Sequence, residues 1–135
     1  MRTFLDANLL IYLNTIEDFV EKRRFSDFYL ELLREDRCYI DALVLDEVLF
    51  VSKKKYAVPY ELTCDFIGLQ VLPYVDVLPL AVEEYTIAAE LVKSCALRPS
   101  DALHVGAMRV NNVKAIASED VDFDSVDGLK RVWIQ

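Results

Sequence analysis

The organisation of this chain is clearest in residues 98–120, which read RPSDALHVGAMRVNNVKAIASED. Residues 99–111 have a helical pattern with proline in the first turn, where its missing N–H is not needed. Residues 114–117 are mostly apolar and predict a short buried strand. Because only two residues connect these elements, the helix must run antiparallel to the strand. The first turn of the helix, with Asp101, is therefore expected at the carboxyl end of the strand, near Asp120.

The same alternation of strands and helices extends over the whole chain. The hydrophobic pattern predicts strands over residues 2–6, 38–40, 72–78, 114–117 and 131–134, with Pro73 weakening the start of the third. It predicts helices over residues 8–14, 17–35, 42–56, 59–70, 80–95 and 99–111. Strands that alternate with helices favour a parallel sheet covered on both faces. The sequence therefore predicts one α/β domain over residues 1–135.

Composition narrows the class of protein. The chain has 135 residues, 54% of them hydrophobic, with three glycines and four prolines, which is typical of an ordered domain with a sizeable core. No apolar run reaches the roughly 18 residues of a membrane span, and Asp6 comes too early for a secretion signal. We therefore expect a cytoplasmic protein with no membrane partner. The three cysteines, Cys38, Cys64 and Cys95, match no zinc or disulfide spacing, and we expect buried free thiols.

The net charge of −8 counts against nucleic-acid binding, which normally uses basic surface. Metal ions bound by acidic residues would offset part of this charge. Basic residues are also dense at residues 22–24 (KRR) and 53–55 (KKK), although solvated helix ends explain such runs equally well. An acidic surface also suits a basic protein partner.

Four acidic residues are predicted to converge. The carboxyl ends of parallel strands lie at one edge of a sheet, where ligands bind. Asp6 ends the first predicted strand, and Glu47 lies in the second turn of helix 42–56, which directly follows strand 38–40. Together with Asp101 and Asp120, they place four carboxylates on one rim.

The helical wheel supports Glu47 over its neighbour Asp46. One apolar arc of helix 42–56 is predicted to contain Leu43, Val44, Val48, Phe50 and Val51. Glu47 falls inside this arc and Asp46 outside it. An acid on a buried face costs several kcal/mol unless it is paired or binds a metal. A buried arginine or lysine partner is the alternative explanation.

Simpler roles compete for the other acidic residues. A carboxylate at the position of Asp101 also stabilises the start of a helix. Asp120 has rivals in Asp122 and Asp124, and turn formation explains such acids well. His104, one turn after Asp101 on a helix that is apolar nearly all round, is interpreted as a core histidine rather than a ligand or base.

Carboxylate oxygens select hard cations, Mg²⁺ or Mn²⁺. Two such ions about 4 Å apart can activate water and stabilise the leaving oxygen of an in-line phosphoryl displacement. Four converging acids therefore indicate a divalent-metal site suited to phosphodiester hydrolysis.

Four segments carry a resemblance to a known family: residues 4–8 (FLDAN), 45–48 (LDEV), 98–105 (RPSDALHV) and 117–123 (ASEDVDF). In order and spacing the chain resembles the PIN-domain nucleases, and among them the VapC-type toxins. The resemblance implies a three-layer α/β/α fold with a parallel sheet of four or five strands in the order 3-2-1-4-5. It also implies Mg²⁺- or Mn²⁺-dependent cleavage of RNA, a homodimer, and a small antitoxin protein as partner.

The resemblance also assigns residues. Asp6, Glu47, Asp101 and Asp120 match the acidic quartet; Asn8 and Ser118 match polar residues that orient the carboxylates; and Asp122 matches a further acid of variable role. The leading hypothesis is therefore a metal-dependent ribonuclease, the toxin of a toxin–antitoxin pair. An inactive PIN-like scaffold that binds a protein partner is the alternative that the −8 charge favours. A housekeeping RNA-processing nuclease is a third hypothesis.

Overall fold

A computed structural model describes residues 1–134 of the chain. Over these residues the protein has five strands, six α-helices and one 3₁₀ helix. Their order is β1 (Arg2–Leu5), α1 (Ala7–Thr15), α2 (Phe19–Glu35), β2 (Arg37–Asp41), α3 (Ala42–Tyr56), α4 (Tyr60–Gln70), β3 (Asp76–Leu78), α5 (Val82–Ser94), α6 (Pro99–Val110), β4 (Ala115–Ala117), the 3₁₀ helix (Val121–Ser125) and β5 (Lys130–Val132). The predicted alternation of strands and helices is confirmed.

The five strands form one parallel sheet in the order β3-β2-β1-β4-β5, as predicted. The chain moves outward from β1 to β3 and then crosses back to β4. Since crossovers between parallel strands are right-handed, the two directions place their helices on opposite faces. Accordingly α1 contacts α2 and α3, α3 contacts α4, and α5 packs along α6. The result is the predicted three-layer α/β/α arrangement, with β1 and β4 adjacent where the direction reverses.

The central strands are covered on both faces. Phe4, Leu5, Ile40 and Ile116 are fully buried. Continuous apolar runs are typical of parallel strands that have helices on either side. The core therefore lies on both sides of β1, and polar groups can reach the sheet chiefly at the strand ends.

Two helices begin at an aspartate that ends a strand. Asp6 follows β1, and its side chain accepts a hydrogen bond from the backbone N–H of Ala7 at the start of α1. Asp41 ends β2, and its side chain accepts from the N–H of Val44 at the start of α3. A carboxylate is a favourable N-terminal cap because it satisfies free N–H groups. Both caps bring a buried carboxylate to the carboxyl edge of the sheet.

Some details differ from the predictions. Strand β3 covers only residues 76–78, because the part around Pro73 forms a turn, and β5 lies at residues 130–132 instead of 131–134. The 3₁₀ helix was not predicted.

The prediction of buried thiols is wrong for Cys64. Cys38 is buried and Cys95 half-buried, but Cys64 is exposed, and all three are free. The buried face of α4 is set by Thr63 and Ile67, and Cys64 lies beside it. Within residues 1–134, none of the helices combines the length and the apolar character needed to cross a membrane.

Candidate active site

Asp6 is held at the junction of β1 and α1 by two hydrogen bonds. Its side chain is only 4% exposed. Oδ1 accepts from the N–H of Ala7 at 2.9 Å, and Oδ2 accepts from the hydroxyl of Ser118 at 2.6 Å. Two such bonds fix the orientation of the carboxylate at the carboxyl end of β1.

Ser118 joins the ends of β1 and β4. It is fully buried, and its Oγ also accepts a hydrogen bond of 3.0 Å from the backbone N–H of Asp120. The hydroxyl therefore donates to Asp6 and accepts from Asp120 at the same time. This contact makes Ser118 a residue that orients a carboxylate of the rim.

Asp101 lies in the first turn of α6 and is also 4% exposed. Its Oδ2 is 3.4 Å from Nε of Arg98, the residue before the helix. Burial raises the pKa of Asp101, and the nearby charge of Asp6 raises it further. The charge of Asp120 acts in the same direction, whereas Arg98 and His104 lower the pKa of Asp101. Asp101 is thus close to both Asp6 and Asp120.

Glu47 is half-buried at the flank of the buried stripe of α3. That stripe consists of Val44, Val48 and Ser52. Burial raises the pKa of Glu47, followed by the charges of Asp6 and Asp101. Among the ion pairs of residues 1–134, none involves Glu47, so the alternative of a buried arginine or lysine partner is not observed.

The predicted apolar arc of α3 is wrong at Phe50. Its side chain is 52% exposed and lies under Nζ of Lys54. Phe50 is two residues beyond Val48, which places it roughly 200° around the helix from the buried stripe. Asp46 is exposed, as the wheel predicts.

Asp120 is half-buried at the start of the 3₁₀ helix. Its Oδ1 accepts from the N–H of Asp122 at 2.9 Å, so it also performs the turn role that competes with ligation. Its two rivals are engaged differently. Asp122 is exposed, and Asp124 is bound by Arg131 at 3.0 and 3.3 Å. The charge of Asp120 acts on both Asp101 and Arg98, which places Asp120 near the rim.

Asn8 is half-buried in α1, and its side chain lies near the hydroxyl of Tyr12, whose pKa it lowers slightly. That hydroxyl donates to Oε2 of Glu119 at 2.5 Å. Burial and then the bond to Glu119 raise the pKa of Tyr12 to about 12. The contact with the loop before Asp120 is thus made by Tyr12, with Asn8 beside it.

His104 and Asp41 form a buried pair beside these acids. The side chains are 2% and 0% exposed, and Nδ1 of His104 lies 2.6 Å from Oδ2 of Asp41. The ring of Phe4 lies against the imidazole, with centroids 5.1 Å apart. Burial alone lowers the pKa of His104, but the hydrogen bond and charge of Asp41 outweigh it, so the pKa is raised.

Three of these residues are close enough to share one ion. Asp6, Asp101 and His104 each offer a ligand atom, and the three atoms lie within 4.8 Å of one another. Ligands about 2.1 Å from a common Mg²⁺ ion lie roughly 3 to 4 Å apart. Burial is the main cause of the raised pKa values of Glu47 and Asp101, and the nearby charge of Asp6 raises both further, so several carboxylates lie close together here. Donor type, spacing and charge all suit a divalent cation.

The PIN-domain family matches residues 3–129. The chain belongs to the PIN-domain family. The ribonuclease VapC2 of Methanocaldococcus jannaschii is 27% identical to this PIN domain over 146 residues, covering 98% of this chain and 94% of that protein.

Solved structures share the same fold. VapBC2 from Rickettsia felis, bound to a DNA fragment from its promoter, has a TM-score of 0.74 at 15% identity and covers 100% of both chains. VapC20 of Mycobacterium tuberculosis, a toxin that cleaves the sarcin–ricin loop, has a TM-score of 0.73 at 13% identity, covering 91% of this chain and 93% of that one. At these identities the likeness extends to the fold of the PIN domain.

Sequence reasoning missed Asp41 and undervalued His104 in this PIN domain. The signal for Asp41 was present, since CYID at residues 38–41 ends an apolar strand with an acid, as FLD does at residues 4–6. Ending the predicted strand at Ile40 hid this parallel. The interpretation of His104 as a core residue is confirmed by its burial, yet the same residue also faces the acidic rim.

Proposed function

We propose that this PIN domain, over residues 1–135, is a metal-dependent ribonuclease that hydrolyses RNA phosphodiester bonds and is the toxin of a toxin–antitoxin pair. The observation that carries the proposal is the group of buried ligand atoms from Asp6, Asp101 and His104 within 4.8 Å. Support also comes from the relatives, one described as a ribonuclease and another as a toxin that cleaves the sarcin–ricin loop.

Asp6 and Asp101 would hold Mg²⁺ or Mn²⁺, and Glu47 and Asp120 would complete the acidic rim. A divalent cation supplies Lewis-acid chemistry, polarising the phosphoryl oxygen and lowering the pKa of water. Ser118 keeps the Asp6 carboxylate in one orientation, because its hydroxyl is itself fixed by the N–H of Asp120. Such supporting contacts are typical of metal sites.

Glu47 is proposed as the proton acceptor. Burial and the charges of Asp6 and Asp101 raise its pKa. A base is more effective when its pKa lies nearer the working pH. Glu47 would take a proton from the attacking water as the water oxygen bonds to phosphorus. The P–O bond to the leaving oxygen breaks, and the leaving oxygen takes a proton from solvent to become a hydroxyl.

Arg98 is proposed to contact the substrate. Its side chain is 67% exposed beside Asp101, and the charges of Asp101, Glu47 and Asp120 raise its pKa. A guanidinium presents paired donors that match phosphate oxygens. On a chain with a net charge of −8, this cation at the rim gives the RNA backbone a local point of attachment.

The proposed function is tested by RNA cleavage with and without Mn²⁺, using Asp6→Asn and the matched control Asp46→Asn. Each variant removes one negative charge, but Asp6 is buried at the rim and Asp46 is exposed. We expect Asp6→Asn to abolish Mn²⁺-dependent cleavage while its circular dichroism spectrum stays native. Asp46→Asn should cleave at the wild-type rate. Wild-type cleavage by purified Asp6→Asn would overturn the mechanism.

The proposed partners are a small antitoxin protein and a second copy of the chain. Solved structures with this fold include VapBC2 from Rickettsia felis and a toxin–antitoxin complex from Klebsiella pneumoniae. The acidic surface suits a basic antitoxin, and the exposed apolar side chains Val82 and Tyr85 on α5 suit a homodimer. Light scattering of the purified chain tests the dimer. We also propose a cytoplasmic location, where RNA is available.

A non-catalytic scaffold is the second candidate, and the net charge of −8 favours it. The two candidates differ in metal binding, because a scaffold needs no cation at the rim. Calorimetric titration with Mn²⁺ separates them. Saturable binding that Asp6→Asn removes supports the nuclease, and an absence of binding supports the scaffold.

A further inference from the structure

We propose that His104 is a nitrogen ligand of the metal ion and that Asp41 positions it, so that the site has mixed oxygen and nitrogen ligands and prefers Mn²⁺ to Mg²⁺. The inference rests on the proposed function in one respect, namely that the rim binds a divalent cation. It adds a ligand type that the four acidic residues alone do not provide.

The first observation is the position of the ring. His104 is 2% exposed and offers a nitrogen within 4.8 Å of carboxylate oxygens of both Asp6 and Asp101. It lies one helical turn after Asp101, so both side chains point from the same face of α6. Contact with the ring of Phe4 restricts the imidazole to its place.

The second observation is the partner of Nδ1. Oδ2 of Asp41 accepts from Nδ1 at 2.6 Å, and Oδ1 of Asp41 accepts from the N–H of Val44 at 3.1 Å. An ionised carboxylate can only accept, so the proton of this bond belongs to Nδ1. Since the start of α3 fixes Asp41 and Asp41 fixes Nδ1, Nε2 is the atom left for a metal. A carboxylate that holds the far nitrogen of a histidine is the usual support of a metal-binding imidazole.

The competing explanation is a buried ion pair that only stabilises the core. In that arrangement His104 carries a proton on both nitrogens, and adding metal leaves the ring unchanged. The charges of Asp6 and Asp101 would also stabilise such a protonated ring, so the response of the ring to metal is what separates the two explanations. The metal-ligand assignment explains the proximity of these groups, because the imidazole and both carboxylates then share one cation.

Ligand type has a consequence for metal choice. Carboxylate oxygens suit Mg²⁺, Ca²⁺ and Mn²⁺, whereas an imidazole nitrogen suits transition-metal ions. Of these three ions, only Mn²⁺ is a transition-metal ion. A site with two carboxylates and one imidazole is therefore expected to bind Mn²⁺ more tightly than Mg²⁺. The preference should depend on His104 and, through the orientation of the ring, on Asp41.

The experiment exploits the fact that the chain contains a single histidine. Protein without an affinity tag is prepared with ¹⁴N- or ¹⁵N-labelled histidine and loaded with Mn²⁺. Electron spin echo envelope modulation then reports nitrogen bound to the ion. We expect a nitrogen coupling that changes from the ¹⁴N to the ¹⁵N pattern with the label. This measurement uses the wild-type chain and does not depend on a variant that folds.

The outcomes are distinct. Bound Mn²⁺ without a histidine coupling overturns the assignment of His104 and leaves the proposed nuclease intact. A chain that binds no Mn²⁺ at all overturns both proposals.

Variants add a second readout. We expect Asp41→Asn to lower Mn²⁺ affinity by about 10- to 100-fold, the usual cost of losing such a supporting residue. His104→Gln should lower it at least as much and reduce the ratio of Mn²⁺ to Mg²⁺ affinity, whereas the exposed control Asp46→Asn should change neither. An unchanged ratio in folded His104→Gln would contradict the proposal.

Discussion

Replacing Ser118 by alanine tests how the candidate site is supported. The hydroxyl of Ser118 is fully buried, donates to Oδ2 of Asp6 at 2.6 Å and accepts from the N–H of Asp120 at 3.0 Å. The substitution removes both hydrogen bonds and leaves the backbone almost untouched. It therefore separates the support of the carboxylates from the carboxylates themselves.

The expected magnitude follows from the two bonds. A hydrogen bond to a charged group contributes about 1.5–3 kcal/mol, and the half-buried N–H of Asp120, left without its acceptor, adds up to about 1 kcal/mol. The free energy of unfolding should therefore fall by about 2–4 kcal/mol. For a domain of this size, each kcal/mol corresponds to roughly 4 °C in Tm. The metal-free variant should unfold roughly 10 °C below the wild type.

Urea denaturation of metal-free protein measures this change. The control is Ser125→Ala, which removes a hydroxyl that donates to the carbonyl oxygen of Asp122 in the exposed 3₁₀ helix. Exposed substitutions of this kind usually stay within about 0.5 kcal/mol. If Ser118→Ala and Ser125→Ala destabilise the protein equally, the support assigned to Ser118 is refuted. In the Asp6→Asn background, Ser118→Ala should cost less, because the charged acceptor is already gone.

Three further predictions concern packing, pH and substrate. Gly106→Ala would place a Cβ atom 2.4 Å from a backbone carbonyl oxygen of α5, and it should lower the free energy of unfolding, measured by urea denaturation, by at least about 2 kcal/mol. Gly68→Ala is the control: nothing lies within 4 Å of its Cβ, and it should stabilise helix α4 by about 0.5–1 kcal/mol. The pKa of Asp101 is raised in the folded state, so its ionisation lowers stability as pH rises above about 4. The pKa of His104 is also raised in the folded state. The stability that protonated His104 adds below about pH 6.5 is therefore lost as pH rises through the pKa of the folded protein. The metal-free protein should therefore have a higher Tm at pH 6 than at pH 8.5, and saturating Mn²⁺ should reduce the difference; a higher metal-free Tm at pH 8.5 would contradict the charge balance. Arg98→Ala should weaken binding of a non-cleaved RNA analogue about tenfold, or 1.4 kcal/mol, with partial recovery in Arg98→Lys, and equal binding by all three proteins would exclude the proposed phosphate contact.

Much of the fold could be predicted because it depends on patterns that are local in sequence. Apolar runs such as FL at residues 4–5 and AIA at residues 115–117 predict buried parallel strands, and short connections fix the direction of the next helix. The rim follows from the same rules, since strand ends and helix starts meet at one edge. The unpredicted 3₁₀ helix depends on hydrogen bonds among Asp120, Asp122 and Ser125, which hydrophobic periodicity does not report.

What the sequence could not predict is contact between distant side chains. Asp41 and His104 are 63 residues apart, and no local sequence pattern predicts that they form a hydrogen bond. The exposure of Phe50 was missed for a related reason: a wheel gives angles, while the layer that packs against α3 decides which angle is buried. In both cases tertiary packing decides which side chains meet or become buried, and the local sequence does not specify the outcome.

The position of the His104–Asp41 pair follows from the side-chain periodicity of strand β1 together with that of helix α6. Along a strand, residues two apart share a face, so Phe4 and Asp6 point to the side of the sheet where α6 lies, as the contact of Phe4 with His104 shows. Along α6, Asp101 and His104 are three apart and also share a face. Asp101 and His104 of the helix therefore lie close to Asp6 at the end of the strand. Strand β2, which pairs with β1, ends in Asp41, and the carboxylate of Asp41 accepts a hydrogen bond from His104. A one-residue shift in the register of β1 would turn Asp6 to the opposite face, which makes the register of the central strand a condition for the whole site.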